Sequence, residues 1–341
     1  MLREWMARLC VTLIIIGLPG AALGYQNGIR PQQAQARVID IKAAAPEAGG
    51  FSPANIRVAV GETVTLRFSS PDVTHGIAFS SELGAEVIVV DPGQVRSITL
   101  TFDQPGHYVY YCNIWCGADH WRMRGIIEVY DPAKPGWLPP AQPDSVIANL
   151  AAEGVNIDAN LHGMHGMPNN PATASEPTLP ATASPSAERG AALLAQVQVA
   201  ADLRDLSWRS TLTPEHMLHT LMQDNPAVPV EGLVDVVAAL WLLERPTANA
   251  ETIQRYNQNC AACHGIDGSG DGFAAAQTAA PPPDFTDPAY MFSLRDDVLY
   301  AKTRRGGMGT DMPNFGTLFS QAETWALVDY LRQLSATAPA R

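Results

Sequence analysis

The stretch NIRVAVGETVTLRF, residues 55–68, sets Ile56, Val58 and Val60 at every second position and then Val64, Leu66 and Phe68, with Gly61-Glu62 between the two runs. A period of two puts one apolar face on an extended chain, so the stretch predicts two strands and a turn, each strand covering a core with one side only. Reading outward, strands are expected at EVIVV (86–90), VRSITLTF (95–102), HYVYYC (107–112) and RGIIEVY (124–130), with turn signals at Asp91-Pro92-Gly93 and Gln104-Pro105-Gly106. About seven short strands between Arg37 and Asp131 read as an all-β sandwich.

The whole chain of 341 residues exceeds one core, and its 27 prolines and 27 glycines are unevenly spread, which predicts two or three domains with linkers. The net charge of −12 argues against a nucleic-acid partner and suits a face that meets a basic protein. The cysteines are Cys10, Cys112, Cys116, Cys260 and Cys263. Beyond Cys10 they form two closely spaced pairs, which does not suggest a long-range disulfide framework. Residues 1–24 carry Arg3 and Arg8 ahead of an uncharged apolar run that ends in small residues. That is the layout of a signal peptide, with a retained single anchor as the alternative, and either exports the rest of the chain.

The loop CNIWCGADHWRM (112–123) lies between two of the expected strands. Cys112, Cys116, His120 and Met123 bring two thiols, an imidazole and a thioether into one loop, and soft donors of these types together favour copper. Methionine is a poor zinc ligand. A single-copper loop needs one thiolate; the second is enough to bridge two ions. A further imidazole has to come from elsewhere, and His75 in DVTHGIAF is the candidate. A Cys-x3-Cys disulfide beside unrelated packing residues is the competing reading. His107 reads as a surface turn residue, and Trp115, Trp121, Tyr108 and Tyr110 as packing around the loop, with a part in electron transfer as the alternative.

Over roughly Arg37 to Asp131 these residues resemble the dinuclear copper domain of cytochrome c oxidase subunit II, and the related copper domain of nitrous-oxide reductase. The resemblance implies a cupredoxin-like sandwich holding two copper ions bridged by Cys112 and Cys116. One ion would be completed by His75 and Met123, the other by His120 and the main-chain carbonyl of Ile114. Many oxidase subunits carry a glutamate where this chain has Ile114, so a side-chain contribution to a magnesium site at the subunit interface is not expected here.

Past Asp131 the composition shifts to Pro, Ala, Ser and Thr, and residues 132–186 read mostly as linker, interrupted by a short helix around Ser145–Glu153. The tract His162, Met164, His165, Met167 reads as exposed tether, with transient copper capture as the alternative. Then NQNCAACHGIDGSGDG (257–272) supplies Cys260-x2-Cys263-His264, the covalent c-type haem attachment motif: two thiols add to the haem vinyls and the next histidine ligates iron. Downstream, GGMGTDMPNFG (306–316) offers two methionines. Met312, in MPNF, resembles the axial ligand of class I cytochromes c, with Met308 as the fallback. Helices expected at 249–258, 294–305 and 320–334 extend that resemblance over about Asn249 to Ser335, within a domain taken as 249–341.

Residues 187–246 carry no motif, yet they track the tail of the haem domain: Leu212 falls against Leu294, Glu215 against Asp297, and Val228-Pro229 against Met312-Pro313. This predicts a degenerate, haem-free cytochrome c-like helical domain with Leu212, Met217, Leu221, Val236, Leu240 and Trp241 as core, an unrelated helical hairpin being the alternative. His216 and His219 are expected to face solvent.

The fold class expected is therefore multidomain, an all-β cupredoxin-like sandwich followed by all-α cytochrome c-type domains, with no catalytic residues of its own. The cofactors expected are two copper ions and one covalent haem c. The resemblance implies an exported, membrane-associated subunit of a haem–copper terminal oxidase. It would relay electrons from an external donor, such as a soluble cytochrome c, through haem to copper and on to the catalytic subunit. A nitric oxide reductase subunit, a free-standing electron carrier and a copper-delivery protein are the alternatives.

Overall fold

The computed structural model describes residues 36–134, 136–140, 143–157, 184–209, 212–307 and 310–337, together with 5, 6 and 19. Those three isolated positions apart, residues 1–24, expected to direct export, lie outside the described residues, as do the His162–Met167 tract and Met308. Among the described residues no helix is long and apolar enough to cross a membrane.

Nine strands are described: β1 (Arg37–Ala43), β2 (Phe51–Ser52), β3 (Asn55–Ala59), β4 (Thr63–Ser69), β5 (His75–Phe79), β6 (Ile88–Val90), β7 (Val95–Thr101), β8 (Gly106–Cys112) and β9 (Arg124–Tyr130). They form two sheets, ordered β2-β1-β4-β7 and β3-β9-β8-β5-β6. The 55–68 stretch does not close as a hairpin. Gly61, in the left-handed region at φ 80°, carries the chain from one sheet to the other. There β3 runs parallel to β9, with Ile56 opposite Ile127, and β4 runs parallel to β1, with Leu66 opposite Ile39. Ile56 and Val58 from one sheet and Val64, Leu66 and Phe68 from the other are all buried in one core, while Val60 stays half-buried at the rim. Each such side chain contributes about 1.5–3 kcal/mol. Because β8 and β9 are antiparallel neighbours, with Tyr111 opposite Arg124, the cysteine-bearing loop spans the end of that sheet and both its roots are held in register.

The described residues after the sandwich form helices: α1 (Ser145–Ala152), α2 (Ala187–Leu193), α3 (Leu206–Arg209), α4 (Pro214–Asp224), α5 (Val230–Leu242), α6 (Ala250–Asn259), α7 (Ala261–His264), α8 (Pro288–Phe292), α9 (Asp296–Arg305) and α10 (Gln321–Thr337). Part of the segment read as linker is structural. Leu150 on α1 and the following Ile157 are buried against the core formed by α6 and α8–α10, and Asp144 accepts a 2.9 Å hydrogen bond from the Tyr300 hydroxyl.

In the 187–246 segment, Met217, Leu221, Val236, Leu240 and Trp241 are buried as expected, whereas Leu212 is only half-buried. His216 is exposed and His219 half-buried. Helix α2 crosses α5 at Gly190, where a Cβ would lie 1.8 Å from the Asp235 carbonyl oxygen. Beside the crossing, Arg189 donates to both Asp235 oxygens at 2.7 and 2.8 Å.

A buried ion network joins this segment to the haem-motif helices. Asp296 accepts from Arg332 Nε at 2.7 Å and from Trp241 Nε1 at 3.3 Å, and it pairs with Arg245, which also reaches Asp329 at 2.6 Å. With Asp296, Arg245 and Arg332 all nearly inaccessible to solvent, each charge depends on the others, because a lone buried ion is far costlier than a paired one.

Candidate redox centres

His75 begins β5, whose Ile77 pairs with Cys112 at the end of β8, so two adjacent strands bring an imidazole and a thiol together. The loop that follows is held by its own backbone: Asn113 N–H donates to the Gly76 carbonyl at 2.9 Å, Cys112 N–H to Met123 at 3.1 Å, and Met123 N–H to His120 at 3.0 Å. Glycine is required at 76, since a Cβ there would lie 2.1 Å from Asn113 Oδ1 and 2.8 Å from Ile114 Cγ1.

All six residues expected at the copper site converge. Cys112 Sγ lies 3.7 Å from His75 Nδ1 and 3.1 Å from the Ile114 carbonyl oxygen; Cys116 Sγ lies 3.3 Å from His120 Nδ1 and 3.6 Å from Met123 Sδ. Each sulfur thus touches one imidazole and one weaker donor. Donor atoms of His75, Cys112 and Cys116 fall mutually within 4.8 Å. His75, Cys112, Cys116 and Met123 are buried.

The two thiols titrate as a pair. The hydrogen bond with Cys116 first, then those with His120 and His75, bring Cys112 well below the usual thiol range against the effect of burial. Cys116 is pushed up, chiefly by the same bond and by burial. These contacts favour the thiolate form of Cys112, which is the form that binds metal.

Asp72, which the motif search missed, orients the first imidazole: its carboxylate faces His75 Nε2 at 3.1 Å, leaving Nδ1 toward the sulfurs. Fixing the second ring nitrogen in this way is typical of histidine ligands. Burial opposes ionisation of Asp72, but the Ala45 N–H, the His75 ring and the Val73 N–H hold its carboxyl at about 2. The acid three residues ahead of the histidine in DVTH was the available signal. Glu47 was also missed; its carboxylate stands against Gly117, 3.0 Å from where a Cβ would be.

Of the expected packing residues, Tyr110 is buried in the sandwich core and donates to the Pro53 carbonyl, and Tyr108 packs on Phe102. His107 is exposed, but within β8 rather than in a turn.

The second centre is built on α6, whose N-terminus is capped by the Asn249 side chain accepting from Thr252 N–H at 2.8 Å. The helix leads through Cys260, the residue that caps both helices, into α7, which carries Cys263 and His264. His264 stacks on Phe285 at 4.6 Å and its Nδ1 lies 3.5 Å from the Pro283 carbonyl, a contact that leaves Nε2 available as a ligand. Burial brings His264 down to about 4, so the ring is neutral at neutral pH, as an iron ligand must be. Met312 is half-buried, its N–H donating to Thr310 Oγ1 at 3.1 Å and its carbonyl accepting from Gly307 N–H at 3.2 Å. The donor sets fit copper in the first case and haem c in the second.

The helical part packs directly on the sandwich. Ala78, Val109 and Tyr111 share a core with the helices around α10, Ser81 N–H donates to the Leu318 carbonyl at 3.0 Å, and Arg124 Nη1 donates to the Asn314 carbonyl at 2.7 Å.

Two family models match the chain, a cupredoxin-like domain over residues 14–123 and cytochrome c over residues 250–335. Cytochrome c oxidase subunit 2 of Thermus thermophilus is 37% identical over 81 residues, which is 24% of this chain and 58% of the relative. A second cytochrome c oxidase subunit 2 of Thermus thermophilus is 37% identical over 81 residues, 24% of this chain and 46% of the relative. The chain thus spans about half the length of the curated relatives it matches. Among solved structures, the periplasmic domain of subunit II of cytochrome oxidase from Bradyrhizobium japonicum is 20% identical, covering 28% of this chain and 86% of that one, with a TM-score of 0.24. The two matched domains imply copper and haem c as cofactors. The chain joins an N-terminal cupredoxin-like domain to a C-terminal cytochrome c domain, and over part of its length it is similar to cytochrome c oxidase subunit II.

Proposed function

We propose that this protein is the electron-transfer subunit of a haem–copper terminal oxidase, exported and associated with the membrane through its complex. It takes electrons from an external donor such as a soluble cytochrome c and passes them to the catalytic subunit, where dioxygen is reduced. The observation that carries the reading is the convergence of two thiols, two imidazoles, a thioether and a carbonyl, all from the 112–123 loop except His75 on β5, with Phe273 of the haem-motif domain packed on Trp115 of that loop in the same chain.

In this reading Cys112 and Cys116 would hold both copper ions, with His75 and Met123 as further ligands of one and His120 and the Ile114 carbonyl as further ligands of the other. Cys260 and Cys263 would attach the haem covalently, and His264 and Met312 would hold its iron. Both cofactors, when bound, supply one-electron redox chemistry. The chain's own part is to hold them rigidly. Asp72 fixes the His75 ring, the 112–123 loop is closed by backbone bonds at both roots, and Phe285 fixes the His264 plane, so the ligands need little rearrangement between redox states. Both thiol–imidazole contacts, Cys112 with His75 and Cys116 with His120, belong to the copper ligand set, and no bond-making step is assigned to the chain.

We read residues 187–246 as a haem-free relative of the haem domain. In support, its first helix packs on its last, α2 on α5, as α6 packs on α10, and Leu240, Met217 and Trp241 fill its interior.

Metal and haem analysis of the full chain tests the proposal. Two coppers with one unpaired electron shared between them, and one covalent haem, are expected. Cys112→Ser and Cys116→Ser should each abolish the copper pair, while Met123→Leu should mainly shift its potential. Replacing Cys260 and Cys263 should remove all haem. One copper with a single-copper spectrum would sink the site assignment. A purified complex that consumes nitric oxide but not dioxygen would replace the oxidase with a reductase.

A further inference from the structure

Phe273 is 66% exposed to solvent, an unusual place for a phenylalanine in the polar run GSGDGFAAA. Its backbone is nevertheless pinned to the haem-attachment turn, with Gly272 N–H donating to the Cys263 carbonyl at 3.2 Å and Ala274 N–H to the Ala262 carbonyl at 2.8 Å. The packing admits no side chain at 272, where a Cβ would lie 2.3 Å from the Ala262 oxygen. So fixed, the Phe273 ring meets Trp115 edge to face, with centroids 5.5 Å apart and planes at 88°. Trp115 sits between the two copper-loop cysteines, and its ring lies 5.4 Å from that of His120. His120 Nδ1 is in turn 3.3 Å from Cys116 Sγ. A continuous run of packed atoms therefore leads from the haem-attachment turn to the thiol pair.

On the other flank, Arg124, next to Met123, bonds Asn314 at 2.7 Å and lies 5.9 Å from the Phe315 ring centroid, two and three residues past Met312. The haem domain is thus clamped to the copper loop on two sides, which holds the aromatic contact in one geometry.

We propose that Trp115 and Phe273 form the electronic contact between the haem and the copper site, so that electrons cross within one chain. The inference rests on the relay reading above. One electron moves: the haem iron is oxidised by one, the copper pair is reduced by one, and no bond or proton changes hands. A surface phenylalanine contributes little to a core, whereas an unbroken chain of contacts is the physical form a coupling path takes.

The test uses the full chain loaded with both cofactors, its haem reduced by a flash-activated ruthenium reagent, while haem reoxidation and copper reduction are followed together. Trp115→Leu should slow this exchange about tenfold, the equivalent of about 1.4 kcal/mol in barrier, and Trp115→Phe should restore most of it. Phe273→Leu should slow it similarly, and the double variant no further, since the two rings act in series. Two readouts separate this role from mere packing. The copper and haem spectra should be unchanged in each variant, and the Ser81 amide, which donates across the interface to Leu318, should keep its hydrogen-exchange protection. An unchanged rate in Trp115→Leu overturns the contact proposal, as does a slowed rate accompanied by loss of Ser81 protection. If no electron passes in the unsubstituted chain, the relay reading itself falls.

Discussion

Gly76→Ala tests how the copper loop is held. Gly76 is buried in β5, and its carbonyl accepts the Asn113 N–H at 2.9 Å. A Cβ would stand 2.1 Å from Asn113 Oδ1 and 2.8 and 3.0 Å from Ile114 Cγ1 and Cδ1. To reach even 3.0 Å the Asn113 amide must retreat by about 0.9 Å, and at 5% exposure it has little room to do so. Overpacking of this kind costs about 1–3 kcal/mol. The displaced residues include Ile114, whose carbonyl stands 3.1 Å from Cys112 Sγ, so the strain falls on one expected ligand and leaves the two thiols in place. The expected outcome is a urea midpoint lowered by that amount for the sandwich, with copper still bound as a pair but at a shifted potential and with altered hyperfine coupling. Asn113→Ala in the same background removes the nearest clash and should recover part of the stability. If Gly76→Ala unfolds at the parent midpoint with an unaltered copper spectrum, the loop is not closed against β5 in the way argued.

Three further outcomes follow from the geometry. Asp72→Asn should weaken copper binding about 10–100-fold by loosening the His75 ring, read by competition with a copper chelator, with the fold unchanged by circular dichroism. Burial raises the Asp296 pKa, but Arg332 and Arg245 outweigh it and hold the carboxyl below its usual range. Its contribution is therefore full above the unfolded value, near pH 4, and lost as pH falls further. Denaturant unfolding across pH should show the helical half weakening below about pH 4, and Asp296→Asn should flatten that dependence while costing about 3–5 kcal/mol at neutral pH. Gly190→Ala should destabilise the 187–246 segment despite alanine's better helix propensity, by about 1–3 kcal/mol or more, because its Cβ meets rigid backbone at Asp235. Hydrogen exchange in α2 and α5 would report the loss, with haem content unchanged.

What could be read in the sequence was whatever carries a period or a spacing. Alternation at 55–68 marks which side chains face inward, and the Cys-x3-Cys-x3-His-x2-Met and Cys-x2-Cys-His runs place most donors on two short segments. Alternation says nothing about which strand lies beside which, so the parallel pairings of β1 with β4 and β3 with β9 were not legible. The ion network failed to register for a related reason. Asp296 meets residues 51 and 36 positions away, and single charges at such separations leave no pattern. Leu150 and Ile157 were hidden by composition, since a Pro- and Ala-rich stretch looks like tether even where two apolar residues anchor it.

The same limit decides what the sequence could say about electron flow. Each centre is encoded locally, ligand by ligand, but the path between them depends on where the haem domain docks, and that is set by contacts spread over several segments. Ser81 to Leu318, Arg124 to Asn314 and Tyr111 within the helical core each join positions far apart in the chain. Trp115 alone reads as a packing residue beside two cysteines. Only when Phe273 is brought up to it by that docking does the pair acquire a role, so the rate of transfer between the centres should respond to substitutions at the interface that leave both ligand sets untouched.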